Sequence, residues 1–205
     1  ARGAVSKGPA GAGAVASDDN LPMVSAAAPP HIGIHRADCP CDPLIGHDQP
    51  CSTIAEAGIN HNGRLDLALK LVDMAADAGA DAVKFQKRHL PSLYPEELLQ
   101  NSNLAEWSFQ YMLPVLESVE LSDDDFRRIR DHCDERGIRF MCTPWDEETL
   151  ASLEALDVPL YKVASADLIN LPLIDAIADT GKPLVLSTGM ASWDEIERTV
   201  PVRIL

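Results

Sequence analysis

The sequence predicts an α/β fold made of parallel strand–helix units, and within that class a TIM (β/α)8-type barrel. From residue 51 onward, short apolar runs alternate five times with amphipathic helical patterns, which is typical of parallel strands joined by right-handed crossovers. No G-x-G-x-x-G motif follows the first strand, which weakens the doubly wound alternative. Polar residues fall at the C-terminal ends of the strands, where a barrel collects its site.

Each predicted strand is a short apolar run, and each predicted helix follows the 3.6-residue period. The strands are predicted at 54–59, 82–86, 138–142, 160–164 and 183–186, and the helices at 64–78, 123–136, 146–156, 171–180 and 193–200. Residues 88–121 lack a clean period and are expected to form a surface loop with one or two short helices. A complete barrel has about eight units in roughly 250 residues, so we expect a barrel truncated after about five βα units.

Capping residues mark several predicted helix ends. Ser122 precedes three aspartates, whose negative charge suits a helix N-terminus. Ser192 with Glu195 has the pattern of a capping box, and Asn170 is the predicted cap of the helix at 171–180. Pro201 is expected to end the last helix, because proline disrupts a helix interior.

The chain is predicted to divide near residue 50. Residues 1–50 are rich in Ala, Gly, Pro and Ser without periodicity, which predicts a disordered or irregular leader, with a short strand possible at 31–34. Histidines and cysteines cluster at 31–51, but no C-x-x-C pair occurs, so their spacing gives little support to a zinc site. Residues 51–205 are predicted to form the partial (β/α) barrel catalytic domain.

The composition excludes several classes of function. The 205 residues carry a net charge of −15, which argues against nucleic acid and anionic membrane surfaces as partners. No apolar run is long enough for a transmembrane helix. The five cysteines form no disulfide-like framework, which favours a reducing, cytoplasmic compartment, and Cys133 and Cys142 are expected to be core residues.

Nine polar residues are candidate site residues, because each lies on the C-terminal half of a predicted strand or in the following turn. They are Glu56, Asn60, Lys84, Gln86, Thr143, Lys162, Ser165, Asp167 and Ser187. His61 is expected at the rim beside Asn60, and Lys87 and Arg88 are expected to add positive charge nearby. The Ser-Thr-Gly turn at 187–189 offers hydroxyl and N–H groups to an anion.

These residue types predict a barrel enzyme that acts on a small phosphorylated or carboxylated substrate. Two lysines on separate strand ends suit an anionic group, and two carboxylates, Glu56 and Asp167, suit acid–base work or the holding of hydroxyls. A Schiff-base aldolase, in which Lys84 or Lys162 is the nucleophile, is the alternative.

Five linked motifs make the sequence recognisable. They are I-A-E-A-G-I-N-H-N-G, A-G-A-D-A-V-K-F-Q-K, C-T-P-W, V-P-L-Y-K-V-A-S-A-D and K-P-L-V-L-S-T-G-M. In this order, over about residues 44–200, they resemble the sialic acid synthase family, which comprises N-acetylneuraminate synthase and its legionaminic-acid and spore-coat relatives. The resemblance implies condensation of phosphoenolpyruvate with an N-acetylmannosamine-like sugar, an N-acetylated hexosamine, which releases phosphate and forms a nine-carbon 2-keto acid.

The resemblance also implies roles for the candidate residues. The phosphoenolpyruvate carboxylate and phosphate would be held by Lys84, Thr143, Lys162, Ser165 and Ser187. In the same pocket, Gln86 would line the wall, Asn60 would bind substrate, and Glu56 would sit by the reacting carbons. The sugar would be contacted near its open-chain carbonyl by Asp167, where the family usually has glutamate.

The family resemblance carries further expectations. It implies a divalent metal, Mn2+ or Mg2+, that activates the sugar aldehyde, with histidine ligands on later βα units that this chain does not supply. It also implies a homodimer in which a C-terminal antifreeze-like domain, absent here, completes the site. We therefore expect little activity from this chain alone. A catalytically inactive truncated barrel that acts through protein–protein association is the alternative outside enzymology.

Overall fold

The fold is taken from a computed structural model, which describes residues 32–33, 44–45, 50–104 and 106–203. The predicted disordered leader and the cluster of histidines and cysteines at 31–51 fall largely outside these residues. Within them, β1 (Ile32–Gly33) pairs with β2 (Leu44–Ile45) in a two-stranded antiparallel sheet. The first of these strands was expected from the sequence and the second was not.

The folded domain alternates strands and helices in the predicted order. The strands are β3 (Ile54–Gly58), β4 (Ala82–Lys87), β5 (Arg139–Pro144), β6 (Tyr161–Val163) and β7 (Leu184–Leu186). The helices are α1 (Leu65–Asp77), α2 (Leu90–Leu93), α3 (Glu96–Gln100), α4 (Trp107–Val119), α5 (Asp123–Arg136), α6 (Glu147–Glu154), α7 (Leu171–Asp179) and α8 (Trp193–Arg203). Two short 3-10 turns lie at Ser102–Leu104 and Ser165–Asp167.

The order of the strands distinguishes the two candidate architectures. Strands β3 to β7 form one sheet in the order β3-β4-β5-β6-β7, and every neighbouring pair is parallel. A doubly wound sheet reverses its strand order at a switch point, whereas a barrel adds each new strand beside the previous one. The sequential order therefore confirms the α/β class and the barrel-type arrangement of five consecutive units.

The ladder between neighbouring strands is not uniform. Six residue pairs join β4 to β5 and four join β3 to β4, although the latter ladder contains an irregularity between Glu56 and Gly58. Within the described range 106–203, β5 and β6 share the single register pair Cys142↔Tyr161, and β6 and β7 share three. The sheet is therefore most extensively paired on the β4–β5 side.

The two faces of the sheet have different compositions. One face packs against α1, α5, α6 and α7 in the main hydrophobic core, to which the sheet contributes Val83, Phe85, Phe140, Cys142, Tyr161 and Val163. The opposite face carries a small apolar cluster of Ala82, Met141 and Leu160, with Val185 packed against it. Because residues two apart on a strand share a face, this second face, called here the barrel-interior face, also receives polar residues near the strand ends.

The helix α5 shows how local sequence fixes the framework. Ser122 Oγ accepts a hydrogen bond of 3.1 Å from the Asp125 N–H, and the Asp125 carboxylate accepts one of 3.2 Å from the Ser122 N–H. This capping box satisfies two otherwise unpaired donors. At the other end, Gly137 has φ +67°, a left-handed conformation that glycine adopts without steric cost.

Two cysteines behave as predicted from their positions in the sequence. Cys133 on α5 and Cys142 on β5 are buried, and burial raises the pKa of each thiol to about 12. A thiol with such a pKa stays protonated at neutral pH, so both residues are core residues rather than nucleophiles.

Three sequence predictions are wrong. The segment 88–121 contains the 13-residue helix α4 in addition to two short helices, and Pro114 within α4 obscured it. The last helix does not end before Pro201 but runs to Arg203. Asn170 is at the N-cap position of α7 but forms no side-chain cap hydrogen bond; its amide instead donates to Asp167 Oδ1 at 3.4 Å.

None of the helices within 50–104 and 106–203 combines the length and apolar character needed to cross a bilayer.

Candidate active site

The strand register brings most of the predicted site residues together on the barrel-interior face. Glu56 is the partner of Lys84 across β3 and β4, and Gln86 is the partner of Thr143 across β4 and β5. Lys162 on β6 shares this face, opposite Val185 of β7. Four neighbouring strands thus contribute polar side chains to one surface at their C-terminal ends, as the barrel prediction requires.

Lys84 is the centre of this surface. Its Nζ lies 2.6 Å from Glu56 Oε2 and 3.5 Å from Thr143 Oγ1. The lysine and the threonine are buried, with 7% and 2% of their surface exposed. A buried ammonium group needs anionic or hydrogen-bonding partners, because burial removes its hydration. Here one carboxylate and one hydroxyl provide them.

Lys162 places a second cation close to the first. Burial lowers the pKa of Lys162, the nearby charge of Lys84 lowers it further, and Glu56 acts in the opposite direction. Its ammonium group donates a hydrogen bond to the Val163 carbonyl oxygen. A second lysine beside the Lys84–Glu56 ion pair gives the surface local positive charge, in contrast to the acidic composition of the whole chain.

Arg88 is a site residue that the sequence prediction did not include among the nine. It follows β4 directly, and its Nη2 donates to Gln86 Oε1 at 2.7 Å. Its guanidinium carbon lies 4.3 Å from the centroid of the Trp145 ring. Burial lowers the pKa of Arg88, and Glu120 is the main charge that opposes this shift. The signal in the sequence was the alternation that puts Lys84, Gln86 and Arg88 on one side.

Asp167 lies near Arg88, in the 3-10 turn after β6. Burial raises the pKa of Asp167, whereas the hydrogen bond from Asn170 and the charge of Arg88 act to lower it. Asp167 Oδ2 and Arg88 Nη1 are both buried without a hydrogen-bond partner among the described residues. Such unpaired buried groups are uncommon in folded proteins and call for an explanation.

Three other candidates lie on the loops around this surface. Ser187 follows β7, is half-buried, and extends the ladder through a 3.2 Å hydrogen bond from its N–H to the Val163 carbonyl. Ser165 is half-buried at the start of the 3-10 turn that ends at Asp167. Asn60 is exposed in the turn after β3. The structure therefore keeps the two serines at the mouth and leaves Asn60 at its edge.

Two expectations about neighbouring residues are wrong. Lys87 does not add charge to the mouth, because it points to the helix side, where its Nζ lies 2.8 Å from Asp123 Oδ1 and 4.7 Å from the Phe126 ring centroid. His61 is not a rim residue: it is buried beside Phe85 of the main core, with ring centroids 6.1 Å apart. Burial lowers the pKa of His61.

A cavity of about 400 Å³ opens beside the mouth. It lies among the loops after β4, β5 and β6 and is lined by Ser92, Leu93, Trp145, Asp146, Glu147, Glu148, Asn170 and Leu173. Two of these residues, Trp145 and Asn170, contact Arg88 and Asp167 respectively. The cavity therefore adjoins the Arg88–Asp167 side of the mouth and not the two lysines.

The residues of the mouth do not form a metal site on their own. Within the described part of the chain, no group of three or more His, Cys, Asp or Glu side chains converges in a way that could hold a metal ion. The carboxylate of Glu56 is instead engaged by Lys84.

Comparisons with known proteins identify relatives. A protein-family model described as the NeuB family matches residues 71–203. The chain is 38% identical to the N,N'-diacetyllegionaminic acid synthase of Legionella pneumophila over 74% of its length. It is 34% identical to the human N-acetylneuraminate-9-phosphate synthase over 77% of its length. These alignments cover 43% and 44% of the two relatives, so the chain spans less than half of their length.

A solved structure agrees with these sequence matches. The structure of the N-acetylneuraminic acid (sialic acid) synthetase of Leptospira borgpetersenii serovar Hardjo-bovis, in complex with citrate, has a TM-score of 0.68 and 33% identity to this chain. The match covers 83% of this chain and 54% of that one. The resemblance to sialic acid synthases deduced from the five motifs is thus confirmed, and the chain belongs to the NeuB family.

Proposed function

We propose that this chain supplies the phosphoenolpyruvate-binding part of the catalytic barrel of a sialic-acid-type synthase. The reaction is the condensation of phosphoenolpyruvate with an N-acetylmannosamine-like sugar, which gives a nine-carbon 2-keto sugar acid and phosphate. The names of the relatives support a sugar-acid synthase.

The observation that carries the proposal is the convergence of Lys84 and Lys162 at one mouth, beside the hydroxyl of Thr143. Phosphoenolpyruvate carries its carboxylate and its phosphate on the same carbon, so it can occupy two nearby cations at once. Lysine ammonium groups and hydroxyls are suitable partners for both groups. Two lysines beside the single carboxylate of Glu56 leave a net positive charge at the mouth, which an anionic substrate would balance.

Each residue of the mouth then has a role. Lys84, Thr143 and Lys162 hold the two anionic groups, with Ser165 and Ser187 at the outer edge and Gln86 along the wall. This orients the methylene carbon of phosphoenolpyruvate toward the aldehyde carbon of the sugar, where the new C–C bond forms. Water adds to the central carbon, and phosphate leaves. Glu56 is the carboxylate nearest the reacting carbons and can take up or return a proton there.

The metal expected from the family resemblance is not explained by these residues. Among the described residues, no group of His, Cys, Asp or Glu side chains converges to hold a metal ion. The mouth alone therefore does not provide the metal ligands that the resemblance implies. The roles given above to the lysines, Thr143 and Glu56 do not depend on those donors.

Calorimetric titration of the chain with phosphoenolpyruvate tests the proposal. We expect binding that is lost in Lys162→Ala and kept in Lys70→Ala, since Lys70 is exposed on α1, away from the mouth. Equal losses of affinity in Lys162→Ala and Lys70→Ala would mean that phosphoenolpyruvate binds through nonspecific attraction to positive charge and not at the mouth. A folded sample that does not bind would contradict the proposal and favour the inactive barrel that acts through association.

A second function is favoured by one observation. The pKa of Lys162 is lowered by burial and by Lys84, and this combination activates lysine for Schiff-base formation. Treatment with pyruvate and borohydride should then add a stable adduct to Lys162, which mass spectrometry would locate. No adduct under conditions that trap a known aldolase would remove this candidate.

A further inference from the structure

We propose that Arg88 is a positioning residue for the anion site. It holds the Gln86 side-chain amide so that the NH2 group of Gln86, and not its oxygen, faces Glu56 and the mouth. This inference rests on the proposed function, because the anion that gains a donor is the one held by Lys84 and Lys162. Arg88 then acts through Gln86 and does not itself contact the substrate.

The first step of the argument is the contact between Arg88 and Gln86. Nη2 of Arg88 lies 2.7 Å from Oε1 of Gln86, which is the length of a hydrogen bond. A guanidinium group has donors and no acceptor, so the amide atom that faces it must be the oxygen. The NH2 group of Gln86 is therefore turned away from Arg88.

The second step is the position of that NH2 group. A Cβ atom placed on Gly58 would lie 3.5 Å from Gln86 Nε2 and 3.3 Å from Glu56 Oε1, so both atoms border the same small space. The ladder between β3 and β4 is irregular between Glu56 and Gly58, and the missing Cβ of Gly58 leaves this space open. An NH2 group suits a place beside a carboxylate oxygen, because it offers donors to an acceptor.

The third step is what this orientation offers to an anion. Oε2 of Glu56 lies 2.6 Å from Lys84 Nζ, on the face that Gln86 shares two residues further along β4. A phosphate or carboxylate group brings only acceptors. The NH2 group of Gln86 can bind such a group beside the lysines, whereas an amide oxygen at the same place would repel it.

The fourth step is that the charge of Arg88 is not free to act on the mouth. The guanidinium carbon lies 4.3 Å from the centroid of the Trp145 ring, and this stacking restricts the planar group. Burial lowers the pKa of Arg88, and the charges of Glu120 and Asp167 act in the opposite direction. Two carboxylates thus lie close enough to balance its charge, so loss of Arg88 should reach the anion through the Gln86 amide.

The first measurement is the nuclear Overhauser effect (NOE) between the Gln86 NH2 protons and the Gly58 Hα protons in the free, isotope-labelled chain. We expect this NOE in the wild type, because Nε2 borders Gly58. Arg88→Lys should keep it, since lysine also only donates. Arg88→Gln should lose it, because a glutamine at 88 can donate or accept and no longer selects one end of the amide. Arg127→Gln is the matched control, because Arg127 is exposed on α5 and pairs with Asp124.

The second measurement is calorimetric titration of the same variants with phosphoenolpyruvate. Arg88→Gln and Gln86→Met should each lower the affinity by about tenfold, the effect of one hydrogen bond to a charged group. The double variant should bind no more weakly than Gln86→Met alone, because Arg88 acts through residue 86. Arg127→Gln should change the affinity by less than about twofold.

Three outcomes would overturn the inference: no NOE in the wild type, an unchanged NOE in Arg88→Gln, or additive losses of affinity in the double variant. Additive losses would mean that Arg88 acts on the anion through its own charge. If Arg88→Gln does not fold, Arg88→Met gives the same test, since methionine has no strong donor or acceptor. The NOE is measured without phosphoenolpyruvate, so a chain that shows the expected NOE pattern and does not bind the anion counts against the proposed function instead.

Discussion

Lys84 Nζ and Glu56 Oε2 lie 2.6 Å apart across two neighbouring strands, yet their side chains differ sharply in exposure, at 9% and 55%. The ammonium group is enclosed by the barrel-interior face, and the carboxylate faces the open mouth. An anion that enters from solvent can therefore approach Lys84 without first displacing a buried carboxylate. This geometry makes Lys84 the most informative residue for mutation.

We predict that Lys84→Met strongly weakens phosphoenolpyruvate binding but preserves the fold. Affinity should fall by about a hundredfold, whereas the free energy of unfolding should change by about 1 kcal/mol or less, because the remaining Glu56 is 55% exposed and keeps its hydration, so no buried charge is left unpaired. Lys87→Met is the control on the same strand, since Lys87 faces Asp123 and the helices. Calorimetry and urea unfolding measure the two quantities. Comparable losses of affinity in both variants would contradict the assignment of faces.

The affinity for phosphoenolpyruvate should depend on pH through Lys162. The pKa of Lys162 is lowered from its ordinary 10.5. Lys162 therefore loses its proton as the pH rises through that lowered value, and the bound anion then loses a cationic partner. Glu56→Gln removes the charge that opposes the shift, so the decline should begin at a lower pH. Lys162→Arg should bind with a flat profile up to pH 10, because arginine stays charged. A wild-type profile as flat as that of Lys162→Arg would refute this.

Asp167 should lower stability at neutral pH. Its pKa is raised above 3.8 in the folded chain, so the unfolded chain releases this proton more readily, and stability falls as pH rises from about 4 through the raised pKa. Asp167→Asn should therefore raise the melting temperature at pH 7, by about 1–3 °C, with the difference disappearing below about pH 4. Glu117→Gln, at an exposed position of α4, is the matched control for loss of one carboxylate charge. A melting temperature at pH 7 that is lower for Asp167→Asn than for the wild type would contradict the prediction that Asp167 destabilises the fold.

Two glycines with the same backbone angle should differ in their tolerance of alanine. Gly63 and Gly181 both have φ +70°, but a Cβ on Gly63 would lie 2.2 Å from the Ser118 carbonyl oxygen, whereas at Gly181 nothing lies within 4 Å. Gly181→Ala should cost only the left-handed conformation, about 1 kcal/mol. Gly63→Ala should cost about 3 kcal/mol or more, because α4 and the turn after β3 must separate. Urea unfolding measures the loss of unfolding free energy in both variants. Equal losses would contradict the prediction, because they would show that α4 can move away from residue 63 at little cost.

The period-two alternation of strands predicted most of the mouth. Lys84 and Gln86 share a face because side chains two apart on a strand point to the same side of the sheet, and backbone pleating does not depend on distant contacts. The same rule applied strictly would have placed Lys87 on the helix side. The prediction placed Lys87 at the mouth because of its charge, but the buried Lys87 forms an ion pair with Asp123 on the helix side.

The features that the sequence did not predict depend on contacts between distant segments. The stacking of Arg88 on Trp145 joins residues 57 positions apart, and a single sequence carries no signal for such a pair. Asn170 had the residue type of a helix cap, but the nearby Asp167 offered its amide a competing partner. Helix α4 was obscured by Pro114, although Leu113, Leu116 and Val119 are buried on one side of it.

The short ladder between β5 and β6 has a consequence for dynamics. Within the range 106–203 these strands share one register pair, and Lys84 and Thr143 lie on one side of this seam while Lys162 and Ser187 lie on the other. Local opening of a sheet begins where backbone pairing is sparse, so the two walls of the mouth should separate there first. An anion bound by both lysines would bridge the seam and act as a non-covalent staple. Amide exchange in β6 and β7 should then slow when the ligand binds, while exchange in β4 changes little.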